Sequence, residues 1–247
     1  MKYTYEELAG MIDHSLLQPT LTDQEMEEGC RLAAQYRVAS VCIKPYFVRE
    51  ATALLKGSEV KVGAVIGFPH GNSATESKRY ETELACKDGA VEIDMVINIG
   101  KALSGDWNYV ERDIRAVCDE AHRHGAKVKV IFENDFLTHG GAGLSSDDFK
   151  RKLGQLSENA GADWIKTSTG YGFVKGPDGK YSYQGATDAD LKLMRTSVSE
   201  RVQVKAAGGV RDLDGLIRVR DLGASRCGAS ATAAILDSYR ARAKQGA

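Results

Sequence analysis

The 247-residue chain offers little that would tie it to a membrane, a metal or an oxidising compartment. No apolar run approaches the roughly 18 residues that read as a membrane span. The opening MKYTYEELAGMIDHSLL carries acids and no continuous apolar segment, so it does not read as a signal peptide. The five cysteines, Cys30, Cys42, Cys86, Cys118 and Cys227, are an odd set, far apart, with no CxxC. That pattern predicts reduced, mostly buried thiols in a cytoplasmic protein. The five histidines give no zinc spacing, since His122 and His124 lie two apart on a predicted helix and face different ways. No metal and no organic cofactor is expected. Neither sign of charge dominates: 33 Lys and Arg meet 34 Asp and Glu, a net charge of −1. This argues against a global field for nucleic acid or anionic lipid, so an anionic substrate must be attracted by a local site. Prolines are scarce, and all four, Pro19, Pro45, Pro69 and Pro177, fall at junctions or in loops. No G-x-G-x-x-G follows an early strand, which weakens an open, doubly wound nucleotide-binding sheet.

What the chain does have is alternation. Hydrophobic residues make up 43% and charged residues 27%, and the length suits one complete α/β barrel, a single domain over 1–247. Short β-branched runs predict strands at 11–15, 38–43, 61–66, 90–96, 127–132, 163–167, 202–206 and 224–227. Amphipathic segments follow at about 22–36, 46–56, 74–88, 107–124, 146–160, 188–198, 212–221 and 230–243, and an extra helix near 4–10 precedes the first strand. Thr22 with Glu25 has capping-box spacing, and Asp106 and Ser145 suit the same role. Eight strand–helix repeats imply parallel strands joined by right-handed crossovers, which close into a (β/α)8 TIM barrel.

Both faces of such a strand are buried, one under the helices and one inside the barrel. The helix-facing sets are apolar: Val41 and Ile43; Val91, Ile93 and Met95; Val128, Val130 and Phe132; Val202 and Val204. The inward sets are charged or polar: Glu92 and Asp94, Lys127 and Lys129, Lys166, then Gln203 and Lys205. An unpaired buried charge costs several kcal/mol even after relaxation, so these groups must be paired, wetted or neutralised. One reading is a self-satisfied layer of salt bridges. The other is a site, because the charges gather toward the C-terminal strand ends where barrel enzymes place their chemistry.

Lysine has an ordinary pKa of about 10.4, which leaves about one amine in 2,500 free at pH 7. Burial and a neighbouring cation both lower it. Lys166 ends strand six and Lys205 ends strand seven, neighbours about 4.8 Å apart in a closed barrel. One of the two should be largely neutral and nucleophilic. Asp94, at the end of strand four, supplies a carboxylate for proton transfer. Amine, second cation and carboxylate suit carbinolamine, iminium and enamine chemistry at a carbonyl. The loops after strands seven and eight, Ala206-Ala207-Gly208-Gly209-Val210-Arg211 and Arg226-Cys227-Gly228-Ala229-Ser230, fall where such barrels often bind phosphate. Two ordinary tight turns are the alternative.

DWIKTSTG (163–170), KAAGGVR (205–211), VEIDMVINIG (91–100) and RCGAS (226–230) resemble the DeoC-type class I aldolases, the deoxyribose-phosphate aldolase family. IDHSLLQPTLT (12–22), VCIKP (41–45) and GFPHG (67–71) are also similar, and the likeness runs from about residue 5 to 235. The resemblance implies Lys166 as the Schiff-base lysine, Lys205 as the lysine that depresses its pKa and Asp94 as the proton-transfer acid. It implies Asp13 and Cys42 near the site, and Thr169, Gly170, Gly208, Gly209, Gly228 and Ser230 around a substrate phosphate. The implied reaction is reversible cleavage of 2-deoxy-D-ribose 5-phosphate to D-glyceraldehyde 3-phosphate and acetaldehyde, in deoxyribose phosphate catabolism, by a homodimer or homotetramer. A Schiff-base barrel for another phosphorylated sugar or keto acid, or a silent phospho-sugar-binding protein, are the competing expectations. The chain departs from the family in Phe132-Glu133-Asn134-Asp135-Phe136, in Lys44 and in a longer segment at 171–184. That segment reads as a hairpin around Gly176-Pro177-Asp178-Gly179, either a lid or a surface or subunit-contact element.

Overall fold

The structure is a computed structural model and describes residues 2–245. Eight parallel strands close into a barrel: β1 (Ile12–Leu16), β2 (Ser40–Ile43), β3 (Lys61–Ile66), β4 (Glu92–Val96), β5 (Lys127–Ile131), β6 (Trp164–Lys166), β7 (Gln203–Ala207) and β8 (Ala224–Ala229). They stand in chain order, and β8 pairs back onto β1. Closure leaves no free edge, so every strand finds two partners. The outward sets pack as expected: Val41, Ile43, Ile93, Met95, Val128, Val130, Phe132, Val202 and Val204 are fully buried beneath the helices.

The surrounding helices are α1 (Tyr5–Ala9), α2 (Asp23–Tyr36), α3 (Val48–Leu54), α4 (Thr75–Lys87), α5 (Ile99–Leu103), α6 (Trp107–Arg123), α7 (Ser146–Asn159), α8 (Asp188–Ser197), α9 (Leu213–Asp221) and α10 (Thr232–Gln245). Thr22 and Glu25 form the reciprocal capping box at the start of α2. Asp106 accepts from the Tyr109 N–H, and Ser145 from the Asp148 N–H. The segment after β6 is a hairpin, with Val174–Lys175 antiparallel to Tyr181–Ser182 and the Gly176 N–H donating to the Lys180 carbonyl at 2.8 Å.

Some expectations fail at the ends of elements. Val91 is 44% exposed, because β4 begins one residue later. Lys127 and Gln203 are the first residues of β5 and β7 and are exposed at the N-terminal rim rather than enclosed. The last helix starts at Thr232, since β8 runs on through Ala229 and leaves Ser230 in the connection. The short helix α5, which Asn98 caps by accepting from the Lys101 N–H, was not anticipated. These are boundary effects. Side-chain period fixes which face a residue joins, but not where along the strand the barrel stops.

Candidate active site

The barrel interior is a stack of charges. Asp13 on β1, Glu92 and Asp94 on β4, Lys129 on β5, Lys205 on β7 and Arg226 on β8 are all nearly or fully buried. Arg226 binds Asp13 at 2.6 Å and Glu92 at 2.5 Å. Lys129 sits among three carboxylates, Glu92 at 2.5 Å, Asp13 at 3.0 Å and Asp94 at 3.0 Å. Lys205 reaches Asp13 at 2.5 Å and Asp94 at 2.6 Å. Ser40 on β2 donates to Asp13 at 2.7 Å. Three acids thus face three bases, and the enclosed layer is neutral in sum. Such a set avoids the cost of an isolated buried charge only as a unit.

Lys166 is the fourth base and has no acid of its own. Its register partner on β7 is Lys205, and its amine meets the same oxygen, Asp94 Oδ2, at 2.7 Å. Burial pushes the Lys166 ammonium below its ordinary pKa; Asp94 opposes this and Lys205 adds to it. Lys205 goes the other way. Burial alone would lower it, but Asp13 and Asp94 together raise it. Burial favours a neutral Asp94 too, yet Lys129, Lys166 and Lys205 hold its carboxyl well below the usual range. Asp13 is likewise held low against its burial by Lys129, Lys205 and Arg226. The arrangement is a carboxylate bridging two lysines, one with its pKa raised and one with its pKa lowered.

Above this layer opens a cavity of about 420 Å³ at the C-terminal end of the barrel. Lys166, Lys205 and Cys42 line it together with Thr169 and Gly170. Gly208, Gly209, Gly228 and Ser230 line it as well. Gly208 and Gly209 both have positive φ, +87° and +84°, a conformation that L side chains adopt only under strain. With no Cβ at either position, the bare backbone can approach a bound group closely.

Every sequence-selected residue lines this cavity except Asp13 and Asp94, which are fully buried beneath it in direct contact with its lysines. Arg226, quoted with the β8 loop, points the opposite way. It lines a separate cavity at the N-terminal end with Lys61 and Arg37. Thr169 lies at the wall, but its N–H and hydroxyl both donate to Glu133.

Sequence reasoning missed Glu133 as a site residue. It follows β5 in a left-handed conformation, φ 58°, unusual for a glutamate, and is 1% exposed. Burial raises its carboxyl to about 7, although the Thr169 hydrogen bonds oppose the shift. A charge just past a strand end was the one available signal. Arg211 of the predicted phosphate loop and the hairpin aromatics Tyr171, Phe173 and Tyr183 also stand at the cavity wall.

Comparison with known proteins agrees with this geometry. A family model described as DeoC/LacD family aldolase matches residues 8–237. The deoxyribose-phosphate aldolase of Rhodopirellula baltica is 48% identical over 96% of this chain and 91% of its own. The enzyme of that name from Clostridium perfringens strain 13 is 46% identical over 94% of this chain and 95% of its own. Among solved structures, one described as the unique tetrameric structure of deoxyribose phosphate aldolase from Aeropyrum pernix superposes with a TM-score of 0.82 at 28% identity, covering 97% of this chain and 93% of that one. With a closed barrel, an inward lysine pair and a family match over nearly its whole length, the chain belongs to the DeoC/LacD family of aldolases.

Proposed function

We propose that the protein reversibly cleaves 2-deoxy-D-ribose 5-phosphate to D-glyceraldehyde 3-phosphate and acetaldehyde through a Schiff base on Lys166. The observation that carries this reading is the unequal sharing of acids among the buried lysines, which leaves Lys166 the amine with the lowered pKa. Its relatives' names supply the substrate. In the open-chain sugar, the Lys166 amine adds to the C1 aldehyde, and the carbinolamine loses water to give an iminium. The C3 hydroxyl then loses its proton, the C2–C3 bond breaks, and its electron pair moves into the iminium to leave an enamine. Glyceraldehyde 3-phosphate departs. Protonation of the enamine carbon and addition of water release acetaldehyde and restore the amine.

Asp94 Oδ2 contacts both amines, so a proton can pass between Lys166 and Lys205 along it. Its carboxyl is held too acidic to store that proton, which makes it a bridge. Lys205 keeps its charge and withdraws protonation from Lys166. We assign the 5-phosphate to the backbone around Gly208 and Gly209, with Arg211, and the reacting carbon to the neighbourhood of Cys42, since all of these line the cavity; burial raises the Cys42 pKa and favours a neutral thiol. The barrel acts as one domain, cytoplasmic and without a resident cofactor. Its assembly as a homo-oligomer draws support from the tetramer described for the Aeropyrum pernix protein.

The test is a coupled assay for glyceraldehyde 3-phosphate released from deoxyribose 5-phosphate, paired with borohydride reduction in the presence of acetaldehyde. A two-carbon adduct on Lys166 is expected. An adduct on another lysine, or turnover only with pyruvate or dihydroxyacetone as donor, would overturn the assignment.

A further inference from the structure

The hairpin at 171–184 is attached to the site at both of its roots. At the entry, Thr169 is held by Glu133, and the Tyr171 N–H donates to the Thr169 hydroxyl at 2.9 Å. Gly172 packs so closely on Glu133 that a Cβ there would fall 2.5 Å from the carboxyl carbon. At the exit, Asp135, 7% exposed, accepts from the Gln184 N–H at 2.6 Å and the Gly185 N–H at 3.1 Å. Both acids leave the end of β5, so one short segment grips the two limbs of the insertion.

The returning limb then lies directly on the glycine loop after β7. The Ala186 N–H donates to the Gly208 carbonyl at 3.2 Å. A Cβ on Gly185 would come within 2.7 Å of the Gly208 backbone, which leaves no room for a side chain or a water between the two chains. The Tyr183 ring stands over Gly208, 3.4 Å from where a Cβ of that residue would lie, and meets Phe173 edge-to-face at 5.1 Å. Tyr171 meets Phe68 of the loop after β3 in the same way at 5.6 Å. All three hairpin aromatics border the cavity that holds Lys166.

We propose that this hairpin is a fixed wall of the substrate site, in which Tyr183 is the specificity-determining residue for the phosphate-bearing end and Asp135 is the positioning residue that holds it there. The inference rests on the reading of the site as a phospho-sugar aldolase and extends it to the recognition of the phosphate. A tyrosine over the glycine loop does two things. Its ring keeps water from one side of the N–H groups, which strengthens their attraction for an anion. Its hydroxyl adds a donor that a phosphoryl oxygen can accept. Neither contribution applies to a sugar that lacks the phosphate.

The experiment compares kcat and KM for 2-deoxyribose 5-phosphate and for unphosphorylated 2-deoxyribose. Tyr183→Ala is expected to raise KM for the phosphorylated sugar about tenfold, the size of one hydrogen bond to a charged group, with kcat changed less than about threefold. The preference for the phosphorylated sugar, as a ratio of kcat/KM values, falls about tenfold with it. Asp135→Ala produces the same fall, and Asp135→Asn, which keeps one acceptor oxygen, restores part of it. Equal losses on both sugars, or an unchanged ratio, overturn the proposal and return the hairpin to a surface or subunit-contact role. Calorimetric titration with inorganic phosphate reads the same wall without turnover: weaker binding to Tyr183→Ala than to wild type supports it, and equal or absent binding in both overturns it. A wild type that binds phosphate but cleaves neither sugar, while Tyr183→Ala binds it more weakly, counts against the aldolase reading and still supports the wall.

Discussion

Three lysines inside one barrel differ in how many carboxylates they reach, and the count falls from the floor to the mouth. Among the described residues, Lys129 touches Asp13, Glu92 and Asp94, Lys205 touches Asp13 and Asp94, and Lys166 touches Asp94 alone. Burial presses on all three alike, yet Lys129 is raised well above its ordinary pKa, Lys205 is raised, and Lys166 is lowered. Desolvation therefore does not separate the three; the supply of acids does. The floor is saturated with acids, while the mouth is one acid short.

That contrast can be broken in graded ways. The largest effect is expected from Lys166→Ala, which removes the mouth's amine and leaves the paired floor intact. Steady-state retro-aldol rates should fall on the order of 10⁴-fold or more, with thermal stability held. Lys129→Met attacks the floor instead. It leaves three buried carboxylates sharing fewer cations, and chemical denaturation should show a loss of about 3–5 kcal/mol.

Lys205→Leu sharpens the comparison, because it takes a cation from Lys166 and frees Asp94 to hold the Lys166 proton. Both changes raise the Lys166 pKa. The sign follows directly: the free amine is the reactive form, so the rising limb of kcat/KM against pH should move to higher pH, with roughly 10²–10³-fold loss near neutrality. A limb that stayed in place would mean that burial alone sets the Lys166 pKa. The smallest effect belongs to Lys127→Ala, on the same strand as Lys129 but at the exposed rim, where its pair with Asp163 at 2.9 Å is partly solvated. Denaturation midpoints should register no more than about 1 kcal/mol.

Much of this is legible in the amino-acid order. The β-branched alternation marked eight strands, and period-two parity put Glu92, Asp94, Lys129, Lys166 and Lys205 on the inward face, where they are. The glycine segments at the C-terminal ends of β7 and β8 were placed at the cavity from their position in the repeat alone. The hairpin was visible in Gly176-Pro177-Asp178-Gly179, but its choice between lid and surface was not, because the anchoring Asp135 lies 49 residues from Gln184.

The amino-acid order by itself determined the barrel, because side-chain period and turn chemistry are local and repeat eight times. It determined equally that two lysines would meet at the ends of neighbouring strands. Which of them has its pKa raised and which lowered was decided only by closure. Asp13 on β1 and Arg226 on β8 enter the charge balance across separations of 116 and 213 residues. Closure also left Thr169 occupied by Glu133 and turned Arg226 to the far end. Electrostatic energy in a buried layer depends on distance in space and on the sum of all neighbours, and neither is written in the spacing of residues along a chain.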